Sequence, residues 1–125
     1  MRQQTLTKSE MQVMNVLWVM GRGACVNDIL EHYPEPKPAY TTIATFLKIL
    51  TQKGFVEHKK GTGKLLIYSP LITKEKYRRR VMEEVKDDFF GNSFKSMFSF
   101  FVKEEHLTAE DIEEILNQIK EEENI

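Results

Sequence analysis

Cysteine is nearly absent. Cys25 stands alone in 125 residues, so no internal disulfide can form, and a reducing compartment is expected. Long apolar runs are missing too: no stretch approaches the roughly 20 residues a membrane helix needs. The start, Met1-Arg2-Gln3-Gln4, lacks the apolar core of a signal peptide. The expected location is the cytoplasm. Also absent are a Gly-x-Gly-x-x-Gly fingerprint, a P-loop and a nucleophile elbow. Gly61-Thr62-Gly63 is too short to cradle a phosphate. The three histidines, His32, His58 and His106, fall in different predicted elements with no paired ligand spacing around any of them. No catalytic residue, metal, cofactor or small-molecule substrate is expected, and the chain reads as a non-enzyme.

What is present is a globular balance, 41% hydrophobic and 30% charged. The net charge of −1 hides an asymmetry. Residues 1–70 hold 9 basic and 5 acidic side chains, a net +4; residues 71–125 hold 9 and 14, a net −5. One half suits a polyanion and the other does not.

The order of elements is legible. Thr7 and Glu10 have capping-box spacing, and Met11, Met14, Leu17 and Trp18 recur at helical steps until Gly21 and Gly23 stop the first helix. A short second helix is expected over about 25–33, with Val26, Ile29 and Leu30 inward and Cys25 as a small buried hydrophobe. Pro34, Pro36 and Pro38 then impose a turn. A third helix spans about 40–53 on a stripe of Ile43, Phe46, Leu47 and Leu50, closed by Gly54. Two β-prone runs, 55–59 and 65–68, flank the glycine-rich turn Lys60-Gly61-Thr62-Gly63-Lys64, and Pro70 ends the second. A charged helix follows from Thr73 to about Phe90, broken by Gly91-Asn92-Ser93. An aromatic-rich helix covers about 94–103, and a last one starts at Thr108, with Asp111 at the cap-and-acid spacing. The fold class is therefore mainly α with a small β-hairpin: a winged helix-turn-helix over 1–70 and a helical dimerisation domain over 71–125.

The third helix presents Tyr40, Thr41, Thr42, Thr45 and Lys48 outward. Threonine weakens a helix by a few tenths of a kcal/mol relative to alanine. In a major groove its hydroxyl and methyl can meet base edges, thymine methyls and phosphates. Capping by the first two threonines is the plainer account of them. Lys59, Lys60, Thr62 and Lys64 surround the hairpin tip, suited to phosphates or a minor groove; lysines on an edge hairpin also guard against aggregation. In the second half, Phe89, Phe90, Phe94, Phe98, Phe100 and Phe101 crowd into thirteen positions with Met97. Three short helices make too small a core for them. They, with Leu107 and the stripe Ile112, Ile115, Leu116 and Ile119, are expected in an interface between two copies. Packing back onto the winged module is the alternative.

Taken together, these motifs resemble the penicillinase repressor and methicillin-resistance repressor family of bacterial winged-helix regulators. The resemblance lies in Glu10-Met11-Gln12-Val13-Met14-Asn15-Val16-Leu17-Trp18, Thr42-Ile43-Ala44-Thr45-Phe46-Leu47, Lys53-Gly54-Phe55-Val56 and Tyr68-Ser69-Pro70. It continues through Phe90-Gly91-Asn92-Ser93-Phe94-Lys95-Ser96-Met97 to Glu104-Glu105-His106-Leu107. It implies a homodimeric transcriptional repressor on a two-fold symmetric operator, in several members controlling β-lactam-resistance genes or their sensing system. It further implies release by cleavage in the dimerisation domain, triggered by a membrane-embedded metalloprotease sensor. The family's cut separates an asparagine from a phenylalanine; here the matching bond joins Phe100 and Phe101. Ala44 stands where relatives often carry a long basic side chain. The paired C-terminal cysteines of copper-responsive relatives have no counterpart. The alternative from another class is a winged-helix protein-interaction adaptor that does not bind DNA.

Overall fold

The computed structural model describes residues 5–124, so the start at Met1–Gln4 lies outside the described residues. The chain divides into two compact units between Arg79 and Arg80. The first holds helices α1 (Lys8–Met20), α2 (Val26–Glu31) and α3 (Tyr40–Lys53), strands β1 (Val56–Lys60) and β2 (Leu66–Pro70), and the first turns of α4 (Lys74–Phe90). This is the mainly helical winged helix-turn-helix read from the sequence.

Each start and stop has a local cause. The Glu10 amide donates to the Thr7 hydroxyl at 3.2 Å, and the Thr7 amide donates to Glu10 Oε1 at 2.9 Å. Gly54 ends α3 in the left-handed region, φ 83°, which lets the Phe55 amide turn back to the Leu50 carbonyl at 2.9 Å. That bond commits Phe55 to the cap, so β1 begins at Val56 and not at Phe55. The second helix is shorter than expected because the His32 and Tyr33 amides fold back three residues, to Ile29 and Leu30.

The three helices close on Met14, Leu17, Ile29, Ile43, Leu47 and Leu50, all fully buried, with Val13 and Val16 joining from α1. Each such aliphatic side chain stabilises the fold by about 1.5–3 kcal/mol. The hairpin pairs antiparallel from Val56 opposite Pro70 to Lys60 opposite Leu66. Pro70 thus belongs to β2, where its missing donor costs nothing at the end of a two-stranded ladder. Ala24 extends the ladder, exchanging both backbone hydrogen bonds with Tyr68 at 3.0 and 2.8 Å. The approach there is so close that a Cβ on Gly23 would lie 2.6 Å from Ile67 Cγ2. Gly23 therefore does more than stop a helix. Cys25, expected inside, is only half-buried at the N-cap of α2.

The first unit runs past the 1–70 read from the sequence because α4 roots in it. Tyr77 is buried, its ring 6.2 Å from Trp18 and 5.7 Å from Phe55. Its hydroxyl accepts from the Leu6 amide at 2.8 Å, and Trp18 Nε1 donates to the Ile72 carbonyl at 3.0 Å.

The second unit continues α4 to Phe90, then α5 (Phe94–Glu104) and α6 (Ala109–Glu123). Gly91 and Asn92 both take left-handed conformations and turn the chain. Ser93 caps α5, and Thr108 with Asp111 forms a reciprocal capping box on α6. None of the described residues 80–124 is buried.

Candidate nucleic-acid interface

The face of α3 opposite its buried stripe is open to solvent. Ile43, Leu47 and Leu50 point into the core, while Tyr40, Thr41, Thr42, Thr45 and Lys48 are exposed. The N-cap of α3 is Ala39, so Thr41 and Thr42 are the second and third residues of the helix, and neither caps it. Their hydroxyls have no local structural duty among the described hydrogen bonds. Thr45 differs: its Oγ1 donates to the Thr41 carbonyl at 2.9 Å. With its proton committed to its own helix, that hydroxyl can only accept, and its methyl is the other group it offers a base edge.

Lys59, Lys60, Thr62 and Lys64 are exposed around the hairpin tip, which closes through the Gly61 amide donating to the Leu65 carbonyl at 2.8 Å. Strand alternation sends Lys59 and Lys60 to opposite faces. Lys60 shares its face with His58, whose ring meets that of buried Tyr68 edge-on at 5.5 Å. Burial raises the Tyr68 phenol above its ordinary range, and the nearby phenol of Tyr40 adds to the rise. The start of α3 and the inner face of the hairpin thus adjoin, with Lys60 on the shared side.

Behind this surface lies a charge pair that the sequence did not reveal. Lys53 Nζ donates to Glu10 Oε1 at 2.7 Å, joining the last turn of α3 to the first turn of α1. The Glu10 side chain is 4% exposed and that of Lys53 21%. Burial alone would raise the Glu10 carboxyl. The Lys53 hydrogen bond, the Thr7 amide and the Lys53 charge outweigh it and hold the carboxyl below its ordinary value. On α2, the hydrogen bonds of Cys25 and the Arg22 guanidinium 3.7 Å away likewise lower Asp28. Capping-box spacing foretold Glu10's local bond; nothing in the sequence pointed to a partner 43 residues on.

In the second unit the expected interface residues are in the open. Phe89 is 76% exposed and Phe94 66%, and Phe98, Phe101, Ile115, Leu116 and Ile119 are also exposed; Phe90, Met97, Leu107 and Ile112 are half-buried. Ring pairs form among them, with Phe90–Phe100 at 5.5 Å and Phe94–Phe98 at 6.0 Å. Phe100 and Phe101 lie within α5, both exposed. No helix among the described residues is long and apolar enough to cross a membrane.

A helix-turn-helix with an exposed polar third helix and a basic hairpin beside it defines a winged-helix DNA-binding protein. The chain matches the penicillinase repressor family model over residues 6–121 and belongs to that family, whose members are non-enzymatic transcriptional repressors that bind operator DNA. It is 29% identical over 113 residues to the methicillin resistance regulatory protein MecI of Staphylococcus aureus strain N315, covering 90% of each chain. It is 25% identical over 120 residues to the penicillinase repressor of Bacillus licheniformis, covering 95% of this chain and 92% of that one.

Proposed function

We propose that this repressor acts in the cytoplasm as a homodimer on a two-fold symmetric operator. Tyr40, Thr41, Thr42, Thr45 and Lys48 of each copy enter one major groove. Lys59, Lys60, Thr62 and Lys64 hold the flanking backbone or minor groove. The relatives' names point to genes of β-lactam resistance as the regulated set. The observation that supports this reading best is the orientation of α3: Ile43, Leu47 and Leu50 wholly inward, and a short, uncapped polar face outward.

Dimerisation rests on the second unit. A unit with no buried residue among those described, and with phenyl rings up to 76% exposed, lacks a core of its own. The residues that would share the interface are Phe89, Phe90, Phe94, Met97, Phe98, Phe101, Leu107, Ile112, Ile115, Leu116 and Ile119. Induction follows from a cut at Phe100–Phe101 by a membrane-embedded metalloprotease sensor, which would part α6 from the rest of the interface.

Mobility-shift titration of the full chain against duplex from its own upstream region tests the reading. Binding that falls steeply with salt, at a site of two inverted half-sites, is the expected result. Absence of any shift, with a protein partner captured by the α3 face instead, would favour the adaptor.

A further inference from the structure

Of the three histidines, His58 is the one on the face that the hairpin shares with the start of α3. His32 Nδ1 lies 2.9 Å from the Asp28 carbonyl beside its own short helix, and His106 falls in the turn after α5, in the second unit. His58 is the central residue of β1 and is exposed. Register sets it opposite Tyr68, and the two rings meet edge-on at 5.5 Å. That contact restrains the imidazole yet uses neither nitrogen. Among the described residues His58 makes no hydrogen bond and no ion pair.

Its surroundings lack an anion. Lys60 leaves the same face of the same strand, nearer the tip. Tyr40, the first residue of α3, is close enough to the Tyr68 phenol to help raise it. Glu57, next to His58 in the chain, alternates to the opposite face with Lys59 and Ser69. The titratable groups on the histidine's side are therefore two phenols and an ammonium.

We propose that His58 is a ligand for a backbone phosphate of the bound duplex, and that its protonated form holds this phosphate together with Lys60. The inference deepens the operator reading above and rests on it. Imidazole gains its charge between about pH 5 and 8, whereas a phosphate diester stays anionic throughout that range. The neutral ring offers one N–H to a phosphate oxygen. The protonated ring offers two and a full charge, which makes a shorter and stronger bond. Where the free ring is neutral, binding draws one proton from solvent onto it; by linkage, affinity is higher where that proton is already in place. The duplex supplies the anion that the protein does not set against the ring. A base edge is the competing ligand. Base edges are met by a recognition helix lying in the groove, while His58 sits on a strand beside that helix and next to a lysine.

Salt titrations of the full chain test the contact, on duplex from its own upstream region and on random-sequence duplex, at about pH 5.5 and about pH 8. On both duplexes the slope of log K against log salt should be steeper by about 0.9 at the acid pH, and affinity about tenfold higher. His58→Gln keeps an N–H donor without the charge, so it should match the original near neutral-to-basic pH and show no acid gain. His58→Lys is charged at both values and should hold the high affinity at both. His32→Gln and His106→Gln should behave as the original does. Circular dichroism of each variant at both pH values separates a lost contact from lost folding. Equal slopes at the two pH values in the original chain, or an acid gain that survives in His58→Gln, overturns the proposal. So does weak binding by a folded His58→Lys, which leaves the ring as a packing partner of Tyr68 alone. An acid gain confined to the upstream duplex also overturns it, by assigning His58 to a base edge. A chain that shifts no duplex at either pH refutes the operator reading itself, and this contact with it.

Discussion

Replacing Lys53 by methionine removes the ammonium and leaves the Glu10 carboxylate nearly buried, with the Thr7 amide as its remaining donor. Breaking one side of a buried pair costs about 3–5 kcal/mol when both charges are inside. Lys53 keeps a fifth of its side chain in water, which screens the pair and lowers the expected loss to about 2 kcal/mol. In a unit of this size, that lowers Tm by roughly 10 °C. Trp18, the only tryptophan, lies 6.2 Å from Tyr77 in the same unit and reports urea unfolding by fluorescence. Glu10→Gln combined with Lys53→Met should recover part of the loss, because no uncompensated charge remains. The pH dependence gives a second reading. Glu10 titrates below its ordinary value of 4.5 in the folded chain. Its contribution is fully present above that ordinary value and is lost as pH falls through the folded one. Without Lys53, burial dominates and this acid loss should shrink. A Lys53→Met protein within about 0.3 kcal/mol of the original, with an unchanged acid limb, would refute the assignment of this pair as a clamp between α1 and α3.

Other outcomes follow from the same geometry. Thr45→Ala should relax base preference at one operator position, by about 1–3 kcal/mol of discrimination, measured against a panel of single-base variants; an unchanged preference would place Thr45 outside the groove. Lys60→Ala should weaken all duplexes alike and lower the slope of log K against log salt by about 0.9, and more than Lys59→Ala, whose side chain leaves the other face of the hairpin. Gly23→Ala should destabilise the hairpin by about 1–3 kcal/mol, since Ile67 must shift to admit the methyl, and a neutral melt would contradict the close approach. Truncation after Phe100 should give a monomer with operator affinity reduced roughly 10²–10⁴-fold, and a truncated dimer that binds fully would remove the basis for control by cleavage.

Much of this molecule is written locally. Helix order, the caps at Thr7, Gly54 and Thr108, and the hairpin follow from spacing within four residues, so the sequence displays them. The polar face of α3 was legible for the same reason, because its buried stripe fixes which side faces out. Contacts that join distant segments were not. Lys53 looks like any basic residue in a last helical turn, and Tyr77 looks like a surface tyrosine in a charged helix. Gly23 reads as a helix stop until β2 is placed beside it. The charge split depends on where the first unit is ended. Ending the basic part at residue 70 gave +4, whereas the unit ending at Arg79 has 13 basic and 6 acidic residues, a net +7. The nine residues between hold Lys74, Lys76, Arg78 and Arg79, and the packing of Tyr77 with the Trp18 bond to the Ile72 carbonyl ties them to the first unit.

The central claim is that two copies of α3 read one operator as a pair. Footprinting of the full chain on its own upstream duplex, at several salt concentrations, tests it most directly. Two protected half-sites related by two-fold symmetry, centred about 10 base pairs apart or a multiple of that, are the expected result. Binding should be lost steeply with salt and together with dimerisation in the Phe100 truncation. Protection of a single asymmetric site by a monomer, or no protection at any salt concentration, would contradict it.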